Sequence, residues 1–171
     1  MKKERFVRFS VLVIMAMMTV CMFTACGDDD DSSDSGTSNI GIHRIDVQFS
    51  DNAAGCEVTT IFYGLKQDGS FAALYEKGKS LSLEPSTHTW MTEDVRDISV
   101  QTEDGCGALS ASITIMGPNM NNVSSDVTVT VVGYVNNKRI KTQVFTLPAG
   151  KHIMGGGFVT EDTKTYPEVV Q

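Results

Sequence analysis

From Ile40 onward, apolar and polar positions alternate with a period of two. Ile45, Val47 and Phe49 are separated by Asp46 and Gln48. Leu109, Ala111, Ile113 and Ile115 are separated by Ser110, Ser112 and Thr114. Successive side chains of an extended strand point to opposite faces, so this pattern predicts strands with one buried face and one solvated face. Residues 57–65 (EVTTIFYGL) and 127–135 (VTVTVVGYV) are rich in β-branched and aromatic residues and read as strands by composition. Ile98 and Val100 alternate ahead of an Asp104-Gly105 turn, and Leu81 and Leu83 alternate ahead of Pro85. Asp68-Gly69 separates 57–65 from 71–75, which predicts a hairpin. Asn136-Asn137 predicts another tight turn, because Asn tolerates positive φ. Its return strand, 139–147, changes parity between Ile140 and Phe145, so a bulge is expected near Val144. A last strand over 152–160 is expected to be broken by Gly155–Gly157.

No window after residue 39 carries a helical stripe at i, i+3, i+4 and i+7. The pattern predicts seven to nine short strands joined mostly by tight turns, which implies antiparallel pairing. The expected fold class is therefore all-β: a single antiparallel β-sandwich, immunoglobulin-like or related, over residues 40–171. A small closed barrel is the alternative.

The first 39 residues read differently. Lys2, Lys3, Arg5 and Arg8 precede an uncharged, mostly apolar stretch over 9–25, and small residues follow. That is the plan of a secretory signal peptide, residues 1–25, expected as a short helix. The stretch falls short of the roughly 20 apolar residues a membrane-spanning helix needs. Phe23-Thr24-Ala25-Cys26 resembles a lipobox of the relaxed kind found in Bacteroidota lipoproteins. The resemblance implies cleavage before Cys26 and acylation (palmitate among the chains) of that cysteine. It makes the protein membrane-anchored and not membrane-spanning. Cys26-Gly27 followed by Asp28, Asp29, Asp30 and Asp31 resembles the acidic export signal of the same lipoproteins. It implies the outer leaflet of the outer membrane, with exposure at the cell surface; the periplasmic face is the alternative. Counted as a calcium loop from Asp28, the segment lacks the required glycine at position six and glutamate at position twelve. Residues 26–39 are acidic and Ser-rich, with no large apolar side chain, and predict a disordered tether.

Removing the leader changes the charge. The precursor carries 14 bases and 21 acids; the leader takes four bases and one acid, leaving 10 against 20 and a net charge of −10 on 146 residues. Such a surface lacks the basic footprint that binding to nucleic acid requires. Of four cysteines, Cys21 lies in the leader and Cys26 at the lipid site, leaving Cys56 and Cys106. In an exported domain they are a natural disulfide pair, closing a loop of about 50 residues and contributing about 4 kcal/mol in the chain-entropy model. Two buried free thiols are the alternative.

The catalytic search is negative for the nucleophile elbow, the zinc-protease helix, the phosphate loop and the dinucleotide fingerprint. His43, His88 and His152 are far apart and read as exposed or strand-end residues. Cys56 and Cys106 lack the close partners of a zinc site. No metal or other cofactor is expected. Glu93-Asp94, Glu103-Asp104 and Glu161-Asp162 are turn charges, or else carboxylate pairs of a hydrolase. Trp90, the only tryptophan, is the candidate ligand-binding residue: an exposed ring stacks on a sugar face, whereas a core position is the structural alternative. The expected function is a non-catalytic binding or adhesion module that takes a glycan or a protein. An accessory subunit of an outer-membrane assembly, or a hydrolase with an unrecognised site, is the alternative.

Overall fold

A computed structural model describes residues 39–76, 79–80, 86–90, 97–161 and 169–170, all within the unit Thr37–Gln171. For 79–80, 86–90 and 169–170 the description covers backbone pairing. The leader, Cys26, Asp28–Asp31 and the expected strand at Leu81 and Leu83 lie outside the described residues. No helix among the described residues is long and apolar enough to cross a membrane.

Among the described residues, eleven strands follow in order: β1 (His43–Phe49), β2 (Glu57–Lys66), β3 (Leu74–Glu76), β4 (Lys79–Ser80), β5 (Ser86–Trp90), β6 (Ile98–Thr102), β7 (Cys106–Met116), β8 (Val127–Val135), β9 (Lys138–Leu147), β10 (Ile153–Val159) and β11 (Val169–Val170). They form a six-stranded sheet in the order β4-β3-β6-β1-β8-β9 and a five-stranded sheet in the order β11-β10-β7-β2-β5. Each pairing within them is antiparallel. The fold is the expected antiparallel β-sandwich.

The alternation becomes a core where the two inner faces meet. Ile45 and Val47 of β1 and Val129 and Val131 of β8 are fully buried on one side; Leu109, Ile113 and Ile115 of β7 are fully buried on the other. Burying each such side chain stabilises the fold by about 1.5–3 kcal/mol. Two aromatic rings then lock the sheets reciprocally. A Cβ on Gly156 of β10 would overlap the buried Phe145 ring of β9, and a Cβ on Gly133 of β8 would stand 2.9 Å from the Phe158 ring of β10. Each sheet thus supplies one ring and one glycine hollow.

That contact corrects the expected break at Gly155–Gly157. The three glycines run unbroken through β10, paired along their length with β7. Their missing side chains make room for a ring from the opposite sheet. The bulge of β9 also lies earlier than expected: Gly133 pairs with Lys141 and Tyr134 with Arg139, leaving Ile140 as the extra residue. Asn136 and Asn137 form the predicted turn, with φ of 49° and 63°. The Asp68-Gly69 turn forms too, with Gly69 at φ 79° and Leu65 bridged to Phe71. The chain then leaves the hairpin: β3 joins β6 in the other sheet.

The expected Cys56–Cys106 disulfide is absent; both are buried free thiols. Cys56 precedes the start of β2, where Glu57 pairs with Met116, and Cys106 opens β7 opposite Lys66 at the far end of β2. Nine strand residues separate the two ends, roughly 30 Å at 3.3 Å per residue. A disulfide tolerates no more than about 7 Å between Cα atoms. Gly55 and Gly105, with φ of 93° and 78°, turn the chain ahead of each cysteine, but at opposite ends of the sandwich. Burial pushes both thiols above their ordinary pKa.

Candidate functional site

The outward positions of β1, β6 and β3 line a groove of about 780 Å³ across the outer face of the six-stranded sheet. That volume lies in the range of small-molecule clefts, roughly 300–1,000 Å³. Strand register fixes its composition. Tyr75 of β3 pairs with Gln101 of β6, Gln101 with Arg44 of β1, and Arg44 with Tyr134 of β8. Directly opposed residues on one face are neighbours, so Tyr75, Gln101 and Arg44 form a row across the groove, with Tyr134 next to it on β8 beneath the Arg44 guanidinium. One step along, Ser99 stands beside Asp46. Asp97 and Gln48 complete the polar lining, over a floor of the buried, inward-facing Val47, Ile98 and Glu76.

The centre of the groove is held in place. The Arg44 guanidinium lies 4.0 Å from the centroid of the Tyr134 ring, a cation–π contact. Its Nε sits 3.2 Å from Asp46 Oδ1, and its Nη1 donates to Asn137 Oδ1 at 3.2 Å. The Ser99 hydroxyl donates to the same Asp46 oxygen at 2.6 Å. Asp97 Oδ1 accepts from the backbone N–H of Phe49 at 3.1 Å. Tyr75, at 37% exposure, and the exposed Gln101 and Gln48 stand toward solvent. The groove therefore combines a fixed polar centre with open aromatic and amide groups.

A second polar cluster is internal. His43 stands at a strand end, as the first residue of β1, but it is fully buried and not exposed. Its Nε2–H faces two carbonyls, Asn39 at 2.7 Å and Cys106 at 3.1 Å. Its Nδ1 accepts from the Thr160 hydroxyl at 2.6 Å, and Thr160 in turn accepts from the Leu109 N–H at 2.9 Å. Carbonyls only accept, so this arrangement assigns the proton to Nε2. Burial holds the imidazole below its ordinary pKa of 6.5, against smaller opposing contributions from the Asn39 and Cys106 carbonyls and the Glu161 charge. With both ring nitrogens occupied, His43 pins β1 to the start of β7 and the end of β10. It has no nitrogen left for a metal or substrate.

The other candidates fall apart from the groove. Trp90 ends β5 with its backbone opposite Val58, in the other sheet; its side chain lies outside the described residues. His88, on β5 like Trp90, pairs with Thr60 of β2, and His152 lies before β10. Glu103 is paired with Lys66 at 2.9 Å and accepts from the Ala73 N–H, so it serves the turn. Glu93-Asp94 lies outside the described residues. Among those residues, no group of three or more His, Cys, Asp and Glu side chains is placed to hold a metal ion. The groove residues come from three separate segments, 44–48, 75–76 and 97–101, which no local pattern joins. The visible signal was the polar parity of Arg44, Asp46 and Gln48 on one strand.

No family model matches the chain. No curated protein matches it either. Among solved structures, the fold is similar to a DUF4425 family protein from Bacteroides ovatus, with a TM-score of 0.61 and 18% identity over 73% of this chain and 99% of that one. A DUF4425 domain from Bacteroides vulgatus gives a TM-score of 0.61 and 20% identity over 73% and 98%. The calcium-bound form of a protein from Parabacteroides distasonis gives 0.54 and 17% over 74% and 92%. The chain therefore shares its fold with DUF4425 proteins of Bacteroides.

Proposed function

We propose that the protein is a lipid-anchored surface module without catalytic activity, and that it binds its ligand in the groove across β3, β6 and β1. The observation that carries this reading is the groove itself. A row of aromatic, amide and guanidinium groups crosses three strands beside a fixed Asp46–Ser99 pair. Ligand sites combine a concave surface with a few placed polar groups, and this face has both. The address rests on the leader: the lipobox-like Phe23–Cys26 and the aspartates Asp28–Asp31 support a cell-surface anchor. The Bacteroides and Parabacteroides origin of the similar structures agrees with such a source.

The anchor is tested by Cys26→Ala. The variant is expected to leave the detergent phase for the aqueous phase, and retention in detergent overturns the anchor. Protease added to intact cells is expected to degrade the domain; protection puts it on the periplasmic face. The groove is tested by hydrogen–deuterium exchange on the mature lipoprotein in detergent, against a panel of neutral glycans, anionic glycans and peptides. Calcium is kept in the buffer, because the Parabacteroides distasonis protein was solved with it. Protection confined to β1, β3 and β6 supports the reading; protection elsewhere, or with no member of the panel, refutes it.

Asp46 and Asp97 both line the groove, which favours one second reading, a glycoside hydrolase. Release of new reducing ends from a bound glycan would establish it. Against it, Asp46 and Asp97 are already committed to Arg44, Ser99 and the Phe49 amide.

A further inference from the structure

We infer that the groove takes a neutral glycan chain, laid across the strands from Tyr75 toward Tyr134. This rests on the reading of the groove as the ligand site and names the ligand class. Three observations carry it.

The first is the row of planar groups. Tyr75, Gln101, Arg44 and Tyr134 are successive cross-strand neighbours. Strands stand about 4.8 Å apart, so Tyr75, Gln101 and the Arg44 guanidinium, which itself covers the Tyr134 ring, present a flat group at three successive strands over roughly 10 Å. Flat groups suit the apolar faces of sugar rings, and their repeat suits a chain of rings. Tyr75 keeps its ring exposed at the outer end, where a sugar ring stacks without displacing protein.

The second is the donor and acceptor inventory. Sugar hydroxyls both donate and accept. The exposed Gln101 and Gln48 amides offer both a carbonyl and an NH₂ group, and only the second oxygens of Asp46 and Asp97, beyond those held by Arg44, Ser99 and the Phe49 amide, are left to accept from a hydroxyl. A lipid tail would meet this polar lining at a desolvation cost, because Val47 and Ile98 beneath it are already buried.

The third is the charge. Two carboxylates, Asp46 and Asp97, face the groove against one guanidinium. Arg44 is already committed to Asp46, the Tyr134 ring and Asn137. The chain as a whole carries a net charge of −7. Uronic acids, sulfated glycans and phosphates meet repulsion here, whereas neutral sugars do not. A basic peptide is the competing occupant that this charge admits, but a Lys or Arg side chain has no use for a repeated row of flat groups.

The test uses the mature lipoprotein in detergent micelles. Binding is measured by titration calorimetry against dextran, mannan, galactan and xylan, against heparin and polygalacturonate, and against a Lys/Arg-rich peptide. At least one neutral glycan is expected to bind, with an affinity indifferent to added salt. Tyr75→Ala is expected to weaken that binding about tenfold and Gln101→Ala severalfold. Both positions are exposed on the outer face, and thermal unfolding confirms that each variant still folds. Binding in the groove by only the anionic glycans or only the peptide overturns the inference and leaves the groove reading standing. Neutral-glycan binding that neither variant weakens overturns the groove as its site. Failure of all four neutral glycans to bind overturns the inference.

Discussion

On β1, Ile45 and Val47 point inward and are fully buried, while Arg44 and Asp46 point outward and keep about a quarter of their side-chain surface, 27% and 25%. The same strand thus faces two regions built to different demands. Inside, Phe145 and Phe158 fill hollows left by Gly156 and Gly133, and no polar direction is needed. Outside, Tyr75, Gln101, Arg44 and Tyr134 are aligned by register; Tyr75 and Gln101 stay exposed, while Arg44 is held by Asp46, Asn137 and the Tyr134 ring. The contrast teaches where stability and recognition reside. Changes to the inner face should unfold the protein, whereas changes to the outer row should leave a folded protein that has lost its ligand.

The largest effect expected is at the ring-and-hollow contact. Phe145→Ala leaves a cavity between the sheets and should cost about 3–5 kcal/mol. Gly156→Ala forces the same ring out of its hollow and should cost about 1–3 kcal/mol or more. Because both act on one contact, the double variant should cost less than the two single losses added together, which urea denaturation midpoints will show. Additive losses would mean that ring and glycine do not bear on each other.

His43 comes next. His43→Leu strands the Thr160 hydroxyl and the Asn39 and Cys106 carbonyls and should cost about 1–3 kcal/mol. The pH dependence has a defined sign. The folded-state pKa lies below the ordinary 6.5, so the unfolded chain binds the proton more readily. The contribution of His43 is complete above about pH 6.5 and is lost as the pH falls from there toward the folded-state value. Wild-type stability should therefore rise with pH across that acidic window. His43→Gln, which does not titrate, should flatten the rise; an equal slope in both proteins would assign the titration elsewhere.

The thiols follow. Because Cys56 and Cys106 sit at opposite ends of the β2–β7 ladder, reductant should leave the melting temperature unchanged. Alkylation after denaturation should label both residues, and mass spectrometry that finds them linked would contradict the strand register. The smallest effect belongs to the groove. Gln101→Ala should change stability by no more than about 0.5 kcal/mol while still weakening ligand binding. Destabilisation on the scale of Phe145→Ala would erase the distinction between the two regions.

Much of this was legible in local pattern. Alternation at Leu109–Ile115 and at Ile45–Phe49 foretold which side chains are buried, because strand geometry makes that a two-residue rule. The Asn136-Asn137 and Asp68-Gly69 turns followed from which residues accept positive φ. The errors were all questions of what stands opposite. Gly155–Gly157 reads as a break until Phe145 is known to lie over it. Cys56 and Cys106 read as a pair until Lys66 is found opposite Cys106 and Met116 opposite Glu57. His43, at a strand end, reads as exposed until Thr160 and two carbonyls surround it.

By itself, then, the sequence determined an all-β chain, the parity of its strands, its turns and its acidic charge, and it carries the leader-like segment that suggests an address. Those depend on neighbours along the chain. Strand order, the ring hollows, the buried histidine and the row from Tyr75 to Tyr134 were decided only by tertiary structure. They depend on contacts between segments as far apart as 117 residues, as between His43 and Thr160, and a period of two carries no information about which strand lies alongside.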